Sequence, residues 1–430
     1  MRNSRLIAII LLLFVGISGH SNVFINGLYY RIDSFRRTAM VTVDNDFKYN
    51  GNPSANPNPD VHRYKGDIVI PDTVEPSYGF KCAVTAIDQC TFANREITSV
   101  TIPKTLRLIR GSAFEGTGHV KIKITDLASW CRVDNGDDIF YNNHCELLLN
   151  GEKMTSLNIP NGVDSIGNWT FMHCTFDTIT IPPSIVYVGE FAFDCKTSAV
   201  KISDMEAWKN INFFMPKSNP LYNGASLYLN GKKVESVMLS DSTLIKGSYS
   251  FAGCKGLKQV RIASNTKYVS NCEFYGCEDI SMIKCYSEDP PEIPNFINLS
   301  YNMKQQLFSD DVYKNVWLQI PFGSYEKYRE FKAGIYWPHV SGWEKFKHIV
   351  EMFPASVVGA DGVAGRQGVN IRAVVSCGIL MVSGAGEDDE ISVYGTGGQL
   401  VYRGTNTGVA LPGRGVYIVK VGGKSLKVMN

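Results

Sequence analysis

The chain has almost no surplus of charge. Lys and Arg number 43 against 41 Asp and Glu, which leaves +2 over 430 residues. Binding nucleic acid through its phosphates requires a basic excess, so nucleic acid is excluded as a partner class. Histidine is scarce, with seven copies, leaving little for histidine-based metal or proton-transfer chemistry. No apolar run approaches the roughly 20 residues that a helix needs to cross a bilayer core. The longest is Leu6–Ile17, preceded by Arg2 and Arg5 and followed by Ser18-Gly19-His20-Ser21. A basic start, a short apolar stretch and a small-residue exit make a signal peptide, cut near Ser21. The mature protein is expected to be exported, with no integral membrane span. Eleven cysteines (82, 90, 131, 145, 174, 195, 254, 272, 277, 285 and 377) are too sparse for a disulfide scaffold, and an odd count leaves one thiol unpaired. Buried free thiols are expected, with a Cys254–Cys277 bridge between neighbouring repeat units as the alternative.

What the chain has in abundance is a repeat. Five segments align without gaps: 97–114, 154–171, 176–193, 234–251 and 257–274. In each, an aliphatic residue (Ile102, Ile159, Ile181, Leu239, Ile262) stands twelve positions before a phenylalanine (Phe114, Phe171, Phe193, Phe251, Phe274). A second aliphatic precedes that Phe by five, as Ile109, Ile166, Val188 and Val269, whereas the fourth copy has Lys246 there and Ile245 one place earlier. Pro103, Pro160 and Pro182 close the first three strands, because proline cannot donate to a ladder. Longer islands intervene: 119–131 matches 198–210, setting Asp126 and Trp130 over Asp204 and Trp208, and a degenerate third begins at Ser281. A period of 20 to 25 residues is the signature of a leucine-rich solenoid. One such unit offers about four large apolar groups, worth about 1.5–3 kcal/mol each when buried, against backbone ordering of about 1–2 kcal/mol for each of its residues. Single units cannot fold; stacked units share a core.

The strand-Ile-Pro segments, the Ile-Gly-x-x-Ala-Phe pattern (Ile166-Gly167…Phe171; Val188-Gly189…Ala192-Phe193), the trailing cysteines and the Asp-x-x-x-Trp islands resemble the BspA-like leucine-rich-repeat surface proteins of Bacteroidetes, over about residues 64–352. The resemblance implies a solenoid that binds host proteins or matrix through varied faces. Proline is missing after Leu239 and Ile262, and the third island has no matching Asp-Trp pair. Residues 22–83 read as an N-terminal cap and 84–352 as the solenoid with its islands. That solenoid is expected to end in two capping helices, one started by Ser324 with Tyr325, Tyr328 and Phe331, the other carrying Trp343, Phe346, Ile349 and Val350. Residues 353–369 form a small, Gly-rich linker. Residues 370–430 are a run of short strands with turn glycines, including a Gly422-Gly423 hairpin signal. They form a candidate β-sandwich that resembles the C-terminal sorting domains of type IX secretion cargo through Ser392-Val393-Tyr394, Gly397–Val401 and Gly415–Val421, although Asn430 replaces the usual terminal basic residue. The expected fold is mainly β with short helices and turns: a leucine-rich solenoid followed by a small C-terminal β-sandwich.

Chemistry is hard to find. Gly359-x-x-Gly362-x-x-Gly365 lies in the linker with no strand before it. His144-Cys145 and His173-Cys174 lack a second pair at zinc-finger spacing, and the acidic loop Asp134–Asp138 lacks the distal Glu of a calcium loop. No catalytic residue, cofactor or metal is expected. Trp130 and Trp208 suit sugar stacking, but recurrence four after a helix-capping Asp favours packing. Outward strand positions supply the candidate interaction face: Lys121, Lys123, Asn158, Thr178, Thr180, Lys201, Gln259, Arg261 and Lys284. The expected protein is a secreted or surface-exposed adhesin of a Gram-negative cell. It would bind a protein or matrix macromolecule and use secretion machinery through its C-terminal domain. The alternative is a glycan-binding accessory protein using the island tryptophans.

Overall fold

A computed structural model of the chain describes residues 22–43, 64–137, 139, 146–240, 249–270, 272–293, 306–331, 342–352, 371–376, 378–386, 388–395, 397–405, 407–413 and 415–430. The signal segment 1–21, the linker 353–369 with Gly359, Gly362 and Gly365, His144, Cys145, Asp138, Ile245, Lys246 and Cys377 lie outside the described residues. The fold is mainly β, with a few short helices.

Each repeat begins with a short strand that pairs in parallel with its counterpart in the next, producing three five-stranded ladders. The first runs Lys65–Val69, Glu96–Thr101, Lys121–Ile124, Glu146–Leu149 and the hairpin strand Glu152–Lys153. The second contains Ser156–Asn158, Thr178–Thr180, Ala199–Ile202, Ser226–Leu229 and Lys232–Lys233. Ser236–Leu239, Gln259–Ile262, Met282–Cys285, Trp317–Pro321 and His348–Met352 make the third. The first strand of the first ladder thus lies inside the stretch read as a cap. Along every strand alternate side chains turn inward: Val100, Ile122, Leu157, Ile179, Val200, Val237, Val260 and Ile283 are all buried.

The repeat phenylalanines close the inner side. Phe171 stacks on Phe193 with centroids 5.5 Å apart, Phe251 on Phe274 at 5.8 Å and Phe274 on Phe308 at 5.4 Å. Phe92, which the alignment left out, stacks on Phe114 at 5.4 Å. It could have been found, since Ile87 precedes it by five just as Ile109 precedes Phe114. Beside the rings the chain forms a second, shorter parallel ladder, as where Ser165–Ile166, Tyr187–Val188 and Asn212–Phe213 pair. The glycine in Ile-Gly-x-x-Ala-Phe is required there. A Cβ on Gly167 would stand 2.0 Å from the Val133 carbonyl oxygen, and one on Gly189 2.7 Å from the Asn168 nitrogen. One apolar core runs from Leu28 to Ile349.

The islands each carry one helical turn. Asp126 accepts from the Ser129 N–H at 2.7 Å, and Asp204 from Glu206 and Ala207 at 2.8 and 3.0 Å, satisfying donors at the starts of Leu127–Cys131 and Met205–Lys209. At the end of the third ladder one expectation fails. A helix does form at Tyr325–Arg329 after Ser324, but Trp343–Lys345 is a single 3-10 turn and His348–Met352 is a strand paired with Trp317–Pro321. The β-branched pair Ile349-Val350 suits an extended chain, and pairing supplies backbone partners that an isolated helical turn would lack.

Residues 371–430 have a core of their own, built from Leu380, Val382, Ile391, Val393, Val419 and their neighbours. It lies among a three-stranded sheet (Arg372–Ser376, Ile379–Ser383, Gly408–Ala410) and a four-stranded sheet (Leu400–Gly404, Ile391–Gly395, Val416–Val421, Lys424–Met429). All pairs are antiparallel, and the hairpin between the last two strands turns at Gly422 and Gly423, both at positive φ (52° and 76°).

A buried carboxyl sits where the fourth repeat re-enters the core. Glu273, 4% exposed, accepts the Tyr249 N–H at 2.9 Å, and burial pushes its acidity constant up to about 8. The unfolded chain releases that proton near the ordinary 4.5, so between these values the folded form holds more protons. Stability therefore falls as pH rises across that window and is level above it. Glu273→Gln, which keeps an acceptor for Tyr249, is expected to be the more stable form at pH 8 by on the order of a few kcal/mol, with the difference shrinking toward pH 5. Denaturant midpoints of both proteins at the two pH values check this; a wild-type advantage at pH 8 contradicts it.

Candidate interaction face

The outward positions fall into three groups, one per ladder, and all nine candidate residues are exposed or half-buried. In the first ladder Ser99 and Thr101 pair with Lys121 and Lys123, which pair in turn with Glu146 and Leu148. Charge there is compensated. Lys123 Nζ lies 3.9 Å from Asp67, and Glu146 lies 3.5 Å from Lys153. The hydroxyls of Ser99 and Thr98, then Lys123 and Lys121, hold the Asp67 carboxyl below its usual range. Ser99 is 2% exposed and donates to Asp67 at 2.6 Å. The face around Lys121 and Lys123 is mixed in charge, because the pairing brings Asp67, 56 residues before Lys123 in the chain, beside them.

In the second ladder Ser156–Thr178–Ala199 and Asn158–Thr180–Lys201 form the outward rows. They are small and polar, and the Thr180 hydroxyl donates to Asn158 at 2.8 Å. Their cations are Lys201 and, beyond Tyr228 in the same row, Lys233 of the antiparallel hairpin strand.

The third ladder differs. Its rows are Ser236–Gln259–Met282 and Met238–Arg261–Lys284–Gln319. Arg261 and Lys284 are direct cross-strand neighbours, and these rows contain no carboxylate. The Arg261 guanidinium is steadied by Gln259 at 3.2 Å. Apolar surface surrounds the pair: Met238 is 47% exposed, and Trp317 stacks against His348 with centroids 4.7 Å apart. Like charges across a strand pair repel, so this arrangement lowers stability and leaves two cations free for an anionic group.

The island tryptophans do not form a sugar platform. Trp130 and Trp208 are each 1% exposed, and Trp208 donates to the Ser250 carbonyl at 3.0 Å. The glycan reading is corrected accordingly: a ring packed on both faces has none to offer. Cys82, Cys90, Cys131, Cys195, Cys254, Cys277 and Cys285 are free thiols. Burial pushes Cys131 up to about 12 and Cys254, Cys272 and Cys285 up to about 11, so these four stay thiols at neutral pH. Among the described residues no cluster of three His, Cys, Asp or Glu could hold a metal, and no helix is long and apolar enough to cross a membrane.

Six copies of the BspA type leucine-rich repeat region match residues 77–148, 146–218 and 224–312, together more than half of the chain. The chain belongs to the BspA-type leucine-rich-repeat family. Among solved structures, this family member is similar to a leucine-rich cell surface protein of Faecalibacterium prausnitzii A2-165, at 15% identity and a TM-score of 0.34, over 79% of this chain and 96% of that one. It is also similar to the pneumococcal vaccine antigen PcpA (12%, TM-score 0.30, 77% and 99% covered) and to a leucine-rich repeat protein from Bacteroides ovatus ATCC 8483 (16%, 0.27, 77% and 99%). At such scores these likenesses carry no argument. No curated protein matches the chain.

Proposed function

We propose that this BspA-type repeat protein is a non-enzymatic adhesin: a leucine-rich solenoid, displayed on or released from a Gram-negative cell, that binds a protein or matrix macromolecule of a host. Residues 1–21 direct export, 22–83 cap the solenoid of 84–352, 353–369 are a linker, and 370–430 are a β-sandwich that serves as the sorting signal for type IX secretion. The observation that carries the binding role is the Arg261–Lys284 pair, set on a rigid ladder among Met238, Met282 and Trp317 without a compensating carboxylate in its rows. Adaptable methionines, an aromatic ring and an arginine make the composition of an interface centre, and the charge selects acidic ligands.

Binding of the full mature chain to immobilised acidic matrix proteins tests this. Arg261→Glu with Lys284→Glu is expected to weaken binding at least tenfold, about 1.4 kcal/mol, and to flatten its dependence on salt. Lys121→Glu with Lys123→Glu, on the compensated ladder, is expected to change it less than twofold. Equal affinity of wild type and the Arg261/Lys284 variant removes the third ladder as the binding face.

A further inference from the structure

The four-stranded C-terminal sheet buries Ile391, Val393, Val419, Val421 and Val428. Its other face carries a cluster that the repeats do not explain. Ser392 pairs with Arg403 on one neighbouring strand and Lys420 on the other. Tyr394, two residues on, lies between the same cations: Arg403 Nη2 donates to its hydroxyl at 3.4 Å, and Lys420 Nζ stands 5.3 Å from its ring centre. These contacts lower the acidity constant of Tyr394, the Arg403 hydrogen bond most. Lys427 adds a third cation by pairing with Ile418, the partner of Tyr394. Against them stands Glu390, 3.5 Å from Arg403. Leu400 and Met429, 50% and 75% exposed, supply apolar surface on the outer strands.

We propose that this face, centred on Tyr394, is a second docking surface, and that it takes an extended, acidic segment of a partner protein. Strands about 4.8 Å apart set Arg403 and Lys420 on opposite sides of the Tyr394 strand. Carboxylates two residues apart on an extended segment, about 7 Å, reach both while the segment crosses the ring. The ring held between cations is a rigid anchor of low entropy cost. These residues pack on a different core from the repeats, so the surface does not depend on what the repeats bind.

The probe is a fluorescein-labelled dodecapeptide of alternating Glu and Thr carrying a photo-cross-linker, titrated into the full chain. Cross-links are expected on the strands Ile391–Gly395, Leu400–Gly404, Val416–Val421 or Lys424–Met429. Arg403→Gln with Lys420→Gln is expected to weaken binding at that site at least tenfold and Tyr394→Ala at least fivefold, with near-ultraviolet dichroism unchanged. Tyr394→Phe, which keeps the ring and cannot unfold the sheet by leaving a gap, is expected to retain most of the binding. Arg261→Glu with Lys284→Glu should leave the C-terminal cross-links in place; their loss would overturn the proposal and leave the repeat face standing. Cross-links confined to the repeats, affinity unchanged by the Gln pair, or binding only to phosphatidylglycerol vesicles would each also overturn it.

Discussion

Phe193→Ala is expected to destabilise the repeat region by about 3–5 kcal/mol, the usual result of truncating a buried phenylalanine. Phe193 is 1% exposed and lies almost parallel to Phe171, with an interplanar angle of 12°. Its removal opens a void in a core that runs without interruption from Leu28 to Ile349. Backbone on both sides is tied down, since the Phe171 N–H donates to the Ala192 carbonyl at 2.9 Å, so the site cannot collapse to fill the gap. Val186, 61% exposed in the same repeat, is the control: its alanine variant should stay within about 0.5 kcal/mol of wild type. Denaturant unfolding of the three proteins decides the matter. Equal midpoints for the two variants would mean that the ring column does not hold the repeats together.

A second large effect belongs to Asp88, 7% exposed. Its carboxylate accepts from Arg31 at 3.2 Å, Arg110 at 3.1 Å and the buried Thr42 hydroxyl at 3.1 Å. Arg31 and Thr42 belong to the N-terminal strands Leu28–Asp33 and Thr38–Thr42, whereas Arg110 follows the first repeat strand pair. Asp88 thus fastens the terminal sheet to the first repeat. Asp88→Ala is expected to cost about 3 kcal/mol, the lower end for breaking a buried charge pair, because both arginines keep part of their solvent. Loss of amide protection over 22–43 ahead of the repeats, read by hydrogen exchange, is the expected signature. Unchanged protection there would show that the sheet is held by its apolar contacts and by the parallel pairing of Thr38–Thr42 with Phe80–Ile87, without need of Asp88.

Much of this architecture was legible because the repeat writes its core into a fixed spacing. Ile102 and Phe114 are buried in one core for the same reason that Ile181 and Phe193 are, and Asp126 and Asp204 cap equivalent turns. The candidate face was legible only as a list of outward positions. Which lysines remain free depends on what the pairing places beside them, and Asp67 reaches Lys123 across a register that no local pattern encodes. The cluster at Tyr394 is hidden in the sequence for a like reason: Arg403 and Lys420 meet there through two separate strand pairings. The spacing of Trp343, Phe346, Ile349 and Val350 suits a helix, yet a short apolar run fits a helix and a strand equally, and only the neighbouring strand Trp317–Pro321 decides between them.

Mass-spectrometric mapping of amine cross-links between the full mature chain and a bound matrix protein addresses the binding role most directly. Links through Lys284, lost together with affinity in the Arg261→Glu, Lys284→Glu variant, are the expected result. Links confined to Lys121, Lys123 or Lys201, with Lys284 unmodified and affinity intact, would contradict it.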